Sequence, residues 1–291
     1  MRFQITYSTT YEYSEAVRDN LNVLRVKPAT TPHQSIDEFT FRVDPESRLH
    51  QYRDYFGSEV IEFGVTEPHD RLSIEARMLV TTREQPVDPN EAWDATRETA
   101  YRNAAGEYLL HTDGPHDDPR VRELVEAVHG ATPLETVQRV SEVIPERFEY
   151  RSGATFVGST VTDLLDGGAG VCQDFVHLGT LLLRELDIGA RYVSGYLFAA
   201  PRDGGDDSVE VQTHAWLEAL LPDGDGELRW IGFDPTNRSR AGETYVKIGH
   251  GRHYQDVAPI RGVYRGPATS ELTASVRMTR LTADTPAASG A

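Results

Sequence analysis

Residues 170–186 read GVCQDFVHLGTLLLREL, and Cys172 within them is the only cysteine of the chain. Gly167, Gly168 and Gly170 stand before it, and an unbroken apolar run follows it. Cys172, Phe175, Val176, Gly179, Leu182, Leu183 and Leu186 recur at the spacing of one helical face. The pattern predicts that a loop ends and a helix begins at about Val171, with the thiol in the first turn. A helix N-terminus offers spare N–H groups and a partial positive charge, and both favour a thiolate. Gly179 lets such a helix pack closely on whatever lies beneath it. A lone cysteine on an apolar helix is more often plain core, so the reading depends on the segments downstream.

Two of them alternate. In SVEVQTHAWLEALL, residues 208–221, His214, Trp216, Glu218 and Leu220 share one face; in LRWIGFDPT, residues 228–236, Trp230, Gly232 and Asp234 do. PDGDGE between them is a turn. A hairpin centred on Gly224 sets His214 directly opposite Asp234, and a slip of one residue would part them. Pro235 ends the strand at the carboxylate. Taken singly, His214 is a half-buried strand histidine and Asp234 a turn former. Taken in order with Cys172, they are the residue types of a nucleophile, a base and an orienting acid.

The runs GVCQDFVHLGTLLLRELDIGARYVSGYL, THAWLEALLP and WIGFDPTN closely resemble the bacterial and archaeal transglutaminase-like proteins. FEYRSGATFVGST upstream of Cys172 fits that family's approach to its catalytic helix, and GHGRHYQDVAPIRGVYRG resembles its C-terminal signature. The opening MRFQITYSTTYEYSEAV and LRVKP resemble the β-rich domain that often precedes the core. One departure is visible: the signature often reads GRDY, and here His253 stands in place of the carboxylate. The resemblance implies an α+β fold with a papain-like transglutaminase core, in which a cysteine-bearing helix packs on an antiparallel sheet. It implies Cys172 as nucleophile, His214 as general base and then acid, and Asp234 as the orienter of the imidazole. Such a site takes an acyl group from a protein or peptide amide as a thioester and passes it to water or to an amine. Oxyanion donors are needed; the candidates are the Cys172 N–H, the Gln173 N–H and the Tyr150 hydroxyl.

Composition sets the frame. The chain has 291 residues and a net charge of −17, with 46 Asp and Glu against 29 Lys and Arg. Lys27 and Lys247 are its only lysines. High acidity with little lysine reads as adaptation to molar salt, where screening makes self-repulsion tolerable, with an arginine-biased genome and an ordinary acidic protein as the alternative. It also argues against nucleic acid as a partner. A single cysteine excludes an internal disulfide, and no metal or cofactor motif is present. His250 and His253 read as surface loop, and the aspartate groups at 116–119 and 203–207 as solvated loops. Asn237-Arg238-Ser239 fits a glycosylation sequon without an export signal to support it. With no signal peptide and no apolar run of membrane-spanning length, the expectation is a soluble, cytoplasmic protein.

The expected organisation is an all-β domain over 1–85, built as a sandwich; a linker over 86–117 with a short helix at 89–100; a catalytic core over 118–266; and a last strand with a disordered tail over 267–291. Helices are predicted over 119–128 and 132–148, and strands over 190–198, 208–221 and 228–234. Tyr196, Phe198 and Trp216 read as core packing more than as groove. His177 reads as a structural histidine and Asp174 as a complement to the helix dipole. Two functions follow: a cysteine acyltransferase or amidohydrolase, favouring hydrolysis because lysines are so few, or a non-enzymatic binding module that keeps the fold.

Overall fold

The computed structural model describes residues 1–86, 92–111, 114–199, 207–224 and 226–281. The aspartates at 203–206 and the tail from 282 lie outside them.

The first strand, Arg2–Leu24, is the spine of the β-rich region. Phe3, Ile5 and Tyr7 alternate inward along it, each almost wholly buried. Its first half pairs with His69–Thr82 on one side and Ser270–Arg280 on the other. The register shifts between Glu12 and Val17, and the second half pairs with Glu59–Val65 and Ile260–Arg265. An irregularity of this kind bends a strand and increases its twist. The eight strands are therefore one connected sheet wrapped about Arg2–Leu24, not the two separate sheets of the expected sandwich. The last strand, Ser270–Arg280, lies inside this sheet, between Arg2–Leu24 and Ser208–Val211.

The helical layer starts with Asp94–Arg97, Thr99–Ala105 and a 3-10 turn, Gly106–Leu109, where one helix over 89–100 was expected. Pro119–Val128 and Pro133–Arg147 follow, each with proline in its first turn. Asp118 and Thr132 cap them by accepting the Arg120 and Glu135 N–H groups. The helix Cys172–Glu185 begins where the glycine-rich approach ends. Phe175, Val176, Leu178, Leu182 and Leu183 are fully buried along it, each contributing about 1.5–3 kcal/mol of apolar burial. A methyl group added at Gly179 would stand 2.8 Å from Leu217 Cδ2, so only glycine lets helix and strand approach this closely.

Beneath the helix lies a five-stranded antiparallel sheet in the order Ser239–Arg240, Leu228–Asp234, Thr213–Pro222, Ala190–Leu197, Tyr245–Gly251. Ala215, Leu217, Ala219 and Leu221 join the core shared with the helix. Tyr196 and Phe198 pack instead into the core of the β-rich region. The strand expected over 208–221 is two strands. Ser208–Val211 pairs with Ser270–Arg280, and Thr213–Pro222 belongs to the core sheet. One alternating stretch thus serves both sheets, and a local period of two cannot reveal such a change of partner.

Candidate active site

The hairpin expected from the sequence forms, with its register moved. Leu217 faces Phe233 and Leu220 faces Trp230, so the turn centres one residue later than Gly224. Each residue of the second strand stands two places along from the expected pairing. A shift of two keeps every side chain on its face, where a shift of one would not. His214 and Asp234 are therefore diagonal neighbours, a separation that long side chains bridge. His214 Nε2 and Asp234 Oδ2 are 2.7 Å apart.

Asp234 is wholly buried. Its Oδ2 accepts from His214, from Asn237 Nδ2 at 2.6 Å and from the Tyr245 hydroxyl at 2.9 Å. Its Oδ1 accepts the Thr236 and Asn237 N–H groups at 2.8 and 3.2 Å. Pro235 ends the strand and turns those two N–H groups back onto the carboxylate. Burial works against the charge, but the hydrogen bonds and the His214 charge outweigh it and hold the carboxyl below its usual range. Sequence reasoning found neither Asn237 nor Tyr245. Asn237, read there as part of a sequon, follows Asp234 so closely that its side chain serves the carboxylate. Tyr245 arrives from the edge strand Tyr245–Gly251, and no local pattern signals that.

The His214 ring is nearly buried, between Trp216 and Tyr245. Burial disfavours its charge, yet Asp234 together with Cys172 lifts its pKa to about 9. With Nε2 occupied by Asp234, Nδ1 is the ring nitrogen left for the sulfur.

Cys172 is the first residue of its helix and partly exposed. The helix start is built by Asp174, whose Oδ2 accepts the Val171 N–H at 2.8 Å and the Thr155 hydroxyl at 2.5 Å. This is a specific cap and more than a complement to the dipole. Gly170 makes room for it, since a methyl group there would stand 2.8 Å from the same oxygen. Among the described residues, neither the Cys172 nor the Gln173 N–H has an acceptor, as the first turn of a helix requires. Two adjacent donors thus stand free beside the sulfur. Tyr150 ends the short strand Glu149–Tyr150, which pairs with Ala169–Gly170. Burial raises the pKa of its hydroxyl, and the nearby Cys172 and Asp234 add to the effect.

Gln173 and His177 line a cavity of about 750 Å³ together with Thr160, Tyr254 and His111. His177 Nε2 accepts the Tyr254 N–H at 3.1 Å, and burial lowers the ring's pKa to about 4. It is a structural histidine, as its place on the helix implies. Trp216 is buried behind His214. One loop reading, that of His250, needs correction. His250 lies within the strand Tyr245–Gly251, where Arg191 donates to its Nε2 at 3.1 Å. His253 caps the helix Tyr254–Val257, its Nδ1 accepting the Gln255 N–H at 3.2 Å. A ring nitrogen does there what a carboxylate also does well.

Residues 122–235 match the Transglutaminase-like superfamily, and residues 3–81 match the Bacterial transglutaminase-like N-terminal region. An uncharacterized protein of Mycobacterium leprae (strain TN) is 30% identical over 282 residues, covering 96% of this chain and 99% of its own. An uncharacterized protein of Mycobacterium tuberculosis (strain ATCC 25618 / H37Rv) is 32% identical, with coverage of 94% and 91%. The chain belongs to the transglutaminase-like superfamily. Its architecture, a transglutaminase-like core with a β-rich N-terminal domain, also resembles the crystal structure of "a Putative Cysteine Protease from Cytophaga hutchinsonii". That likeness has a TM-score of 0.75 at 24% identity and covers 98% of this chain and 92% of the other. Both halves of this transglutaminase-like chain are thus matched. No helix among the described residues is long and apolar enough to cross a membrane.

Proposed function

We propose that this protein is a cysteine-dependent acyl-transfer enzyme that acts on amides of a protein or peptide through a thioester, with hydrolysis as the favoured outcome. The observation that carries the reading is the His214–Asp234 hydrogen bond of 2.7 Å together with the partly exposed Cys172 at the start of its helix. The Cys172 thiolate attacks the amide carbonyl, and an S–C bond forms as the π electrons move to oxygen. The Cys172 and Gln173 N–H groups, which have no acceptor among the described residues, supply fixed dipoles for that charge. When the oxyanion collapses, the C–N bond breaks and the His214 imidazolium gives its proton to the departing ammonia or amine. Neutral His214 then takes a proton from water, whose oxygen attacks the thioester. The C–S bond breaks, the thiolate is restored and a carboxylic acid leaves. An amine in place of water gives a new amide. Asp234 holds the ring in the tautomer that this sequence needs and stays ionised throughout. The two lysines of this chain make lysine crosslinking of its own copies a poor outcome.

A non-enzymatic binding module on the same fold is the alternative. It has no need of five hydrogen bonds on a buried Asp234. The deciding experiment incubates a glutamine-containing peptide pool with the protein and a primary amine, followed by mass spectrometry. Deamidated, cleaved or amine-bearing peptides are expected, and all should vanish with Cys172→Ala. Amine incorporation that outpaces hydrolysis would reverse the branch. A pool identical to the Cys172→Ala control would favour the binding module.

A further inference from the structure

We propose that His111, His116 and Glu185 form a metal site whose donors fit zinc. The two histidines come from the connection between the 3-10 turn Gly106–Leu109 and the helix Pro119–Val128. Glu185 is the last residue of the Cys172 helix. One donor atom from each lies within 4.8 Å of the others. Both rings aim the same nitrogen at one oxygen: His116 Nδ1 is 2.6 Å and His111 Nδ1 is 3.3 Å from Glu185 Oε1. The two rings lie nearly parallel, with centroids 4.9 Å apart and an interplanar angle of 18°.

Zinc bonds to imidazole nitrogen and carboxylate oxygen are about 2.0–2.2 Å, so tetrahedral neighbours stand about 3.3 Å apart. The His111–Glu185 separation already has this value. The His116–Glu185 pair is a hydrogen bond. An ion entering there displaces its bridging hydrogen to the other ring nitrogen and opens the gap by about 0.7 Å. Two imidazoles with one carboxylate suit zinc, whereas magnesium and calcium take oxygen donors. Three protein donors leave a fourth position for water. His111 also lines the cavity that Gln173 and His177 line. The ion ties the connecting loop to the far end of the nucleophile's helix. The side chain of His111 is 51% exposed, and the ion can reach the site from solvent. The sequence showed no metal pattern because the third donor lies 69 residues beyond His116.

The test uses the full chain, tag-free, carrying Cys172→Ala, which removes the thiol as a rival ligand. Calorimetric titration with Zn²⁺ should give one ion per chain, and Co²⁺ should give the visible bands of a four-coordinate ion. His111→Ala and Glu185→Gln should each weaken zinc by about tenfold or more, with the far-ultraviolet circular dichroism unchanged. His50→Ala, at an exposed residue elsewhere, should leave the affinity as it was. Zinc binding that is absent, or equal in all four proteins, would overturn the site. Because the thiol is missing throughout, the result does not depend on the acyl-transfer reading.

Discussion

Tyr245 and His214 bond the same oxygen, Oδ2 of Asp234, from different strands, at 2.9 and 2.7 Å. The tyrosine donates a hydrogen bond to a fully buried carboxylate and so keeps it ionised beside the imidazole. Tyr245→Phe should leave the ring volume in place and remove this bond together with the hydroxyl's contact to Ser239 Oγ at 3.1 Å. The expected outcome is a stability loss of about 1–3 kcal/mol and a lower kcat with little change in KM, because the carboxylate acts through His214. Denaturation curves and steady-state kinetics on a peptide that the enzyme turns over would check both parts. An unchanged kcat would remove Tyr245 from the positioning network.

The raised pKa of His214 has consequences for stability. The folded ring titrates at about 9 against an ordinary value of 6.5, so folding favours its charged form. The resulting stability, about 3 kcal/mol at the conversion of 1.36 kcal/mol per unit, is fully present below about pH 6.5. It is lost as pH rises through about 9. NMR titration of the ring should show this midpoint in the wild type and a lower one in Cys172→Ala, which lacks the sulfur's contribution. A ring that titrates at the same pH in both proteins would mean that Cys172 and His214 are not coupled.

Asp174 makes its bonds at the start of the Cys172 helix. Its carboxylate joins Val171 of the helix start to Thr155 of the preceding loop. Asp174→Ala frees a part-buried N–H and a hydroxyl at once and should cost about 1–3 kcal/mol. Thr155→Val should cost less, since the Val171 bond survives it. Equal losses in urea melts of the two variants would show that the hydroxyl, and not the helix cap, carries the effect.

On the other face of the sheet, Glu218 accepts from Arg191 Nε at 2.6 Å and from Lys247 Nζ at 2.6 and 2.8 Å. Burial opposes the charge of Glu218, but Arg191 and Lys247 outweigh it and bring the pKa to about 2. The same two cations and burial hold His250 neutral, burial being the larger cause. Glu218→Ala would leave two cations with no carboxylate between them, for an expected loss of about 3–5 kcal/mol. Since the folded pKa is depressed, the wild-type pair is at full strength above the ordinary value of 4.5 and fails as pH falls towards about 2. Melts between neutral pH and about pH 3, wild type against variant, should show the difference shrinking as the pH falls below 4.5.

The net charge of −17 leads to the last prediction. If the acidity is a salt adaptation, the melting temperature should climb from low to molar KCl as self-repulsion is screened. A melting temperature that does not depend on KCl would return the composition to an ordinary acidic protein.

The sequence by itself determined which side chains are available to the candidate site and much of the local structure. The glycine-rich approach and the apolar face from Phe175 to Leu186 specify a helix that starts at Cys172. The alternation around His214 and Asp234 determines which face each occupies. These are local properties, set by backbone geometry and a repeat of two or 3.6 residues. Tertiary structure decided what depends on partners far along the chain. The hairpin register moved by two residues, which alternation cannot distinguish because it preserves the faces. Ser208–Val211 left the core sheet for the β-rich one, since the edge it completes is formed by the last strand. Tyr245 reached Asp234 because its strand pairs with Ala190–Leu197 at the sheet edge. Thr155 and Asp174 met because a loop folds back over the helix start. Those contacts follow from packing two cores together, and a one-dimensional pattern carries no record of which surfaces will meet.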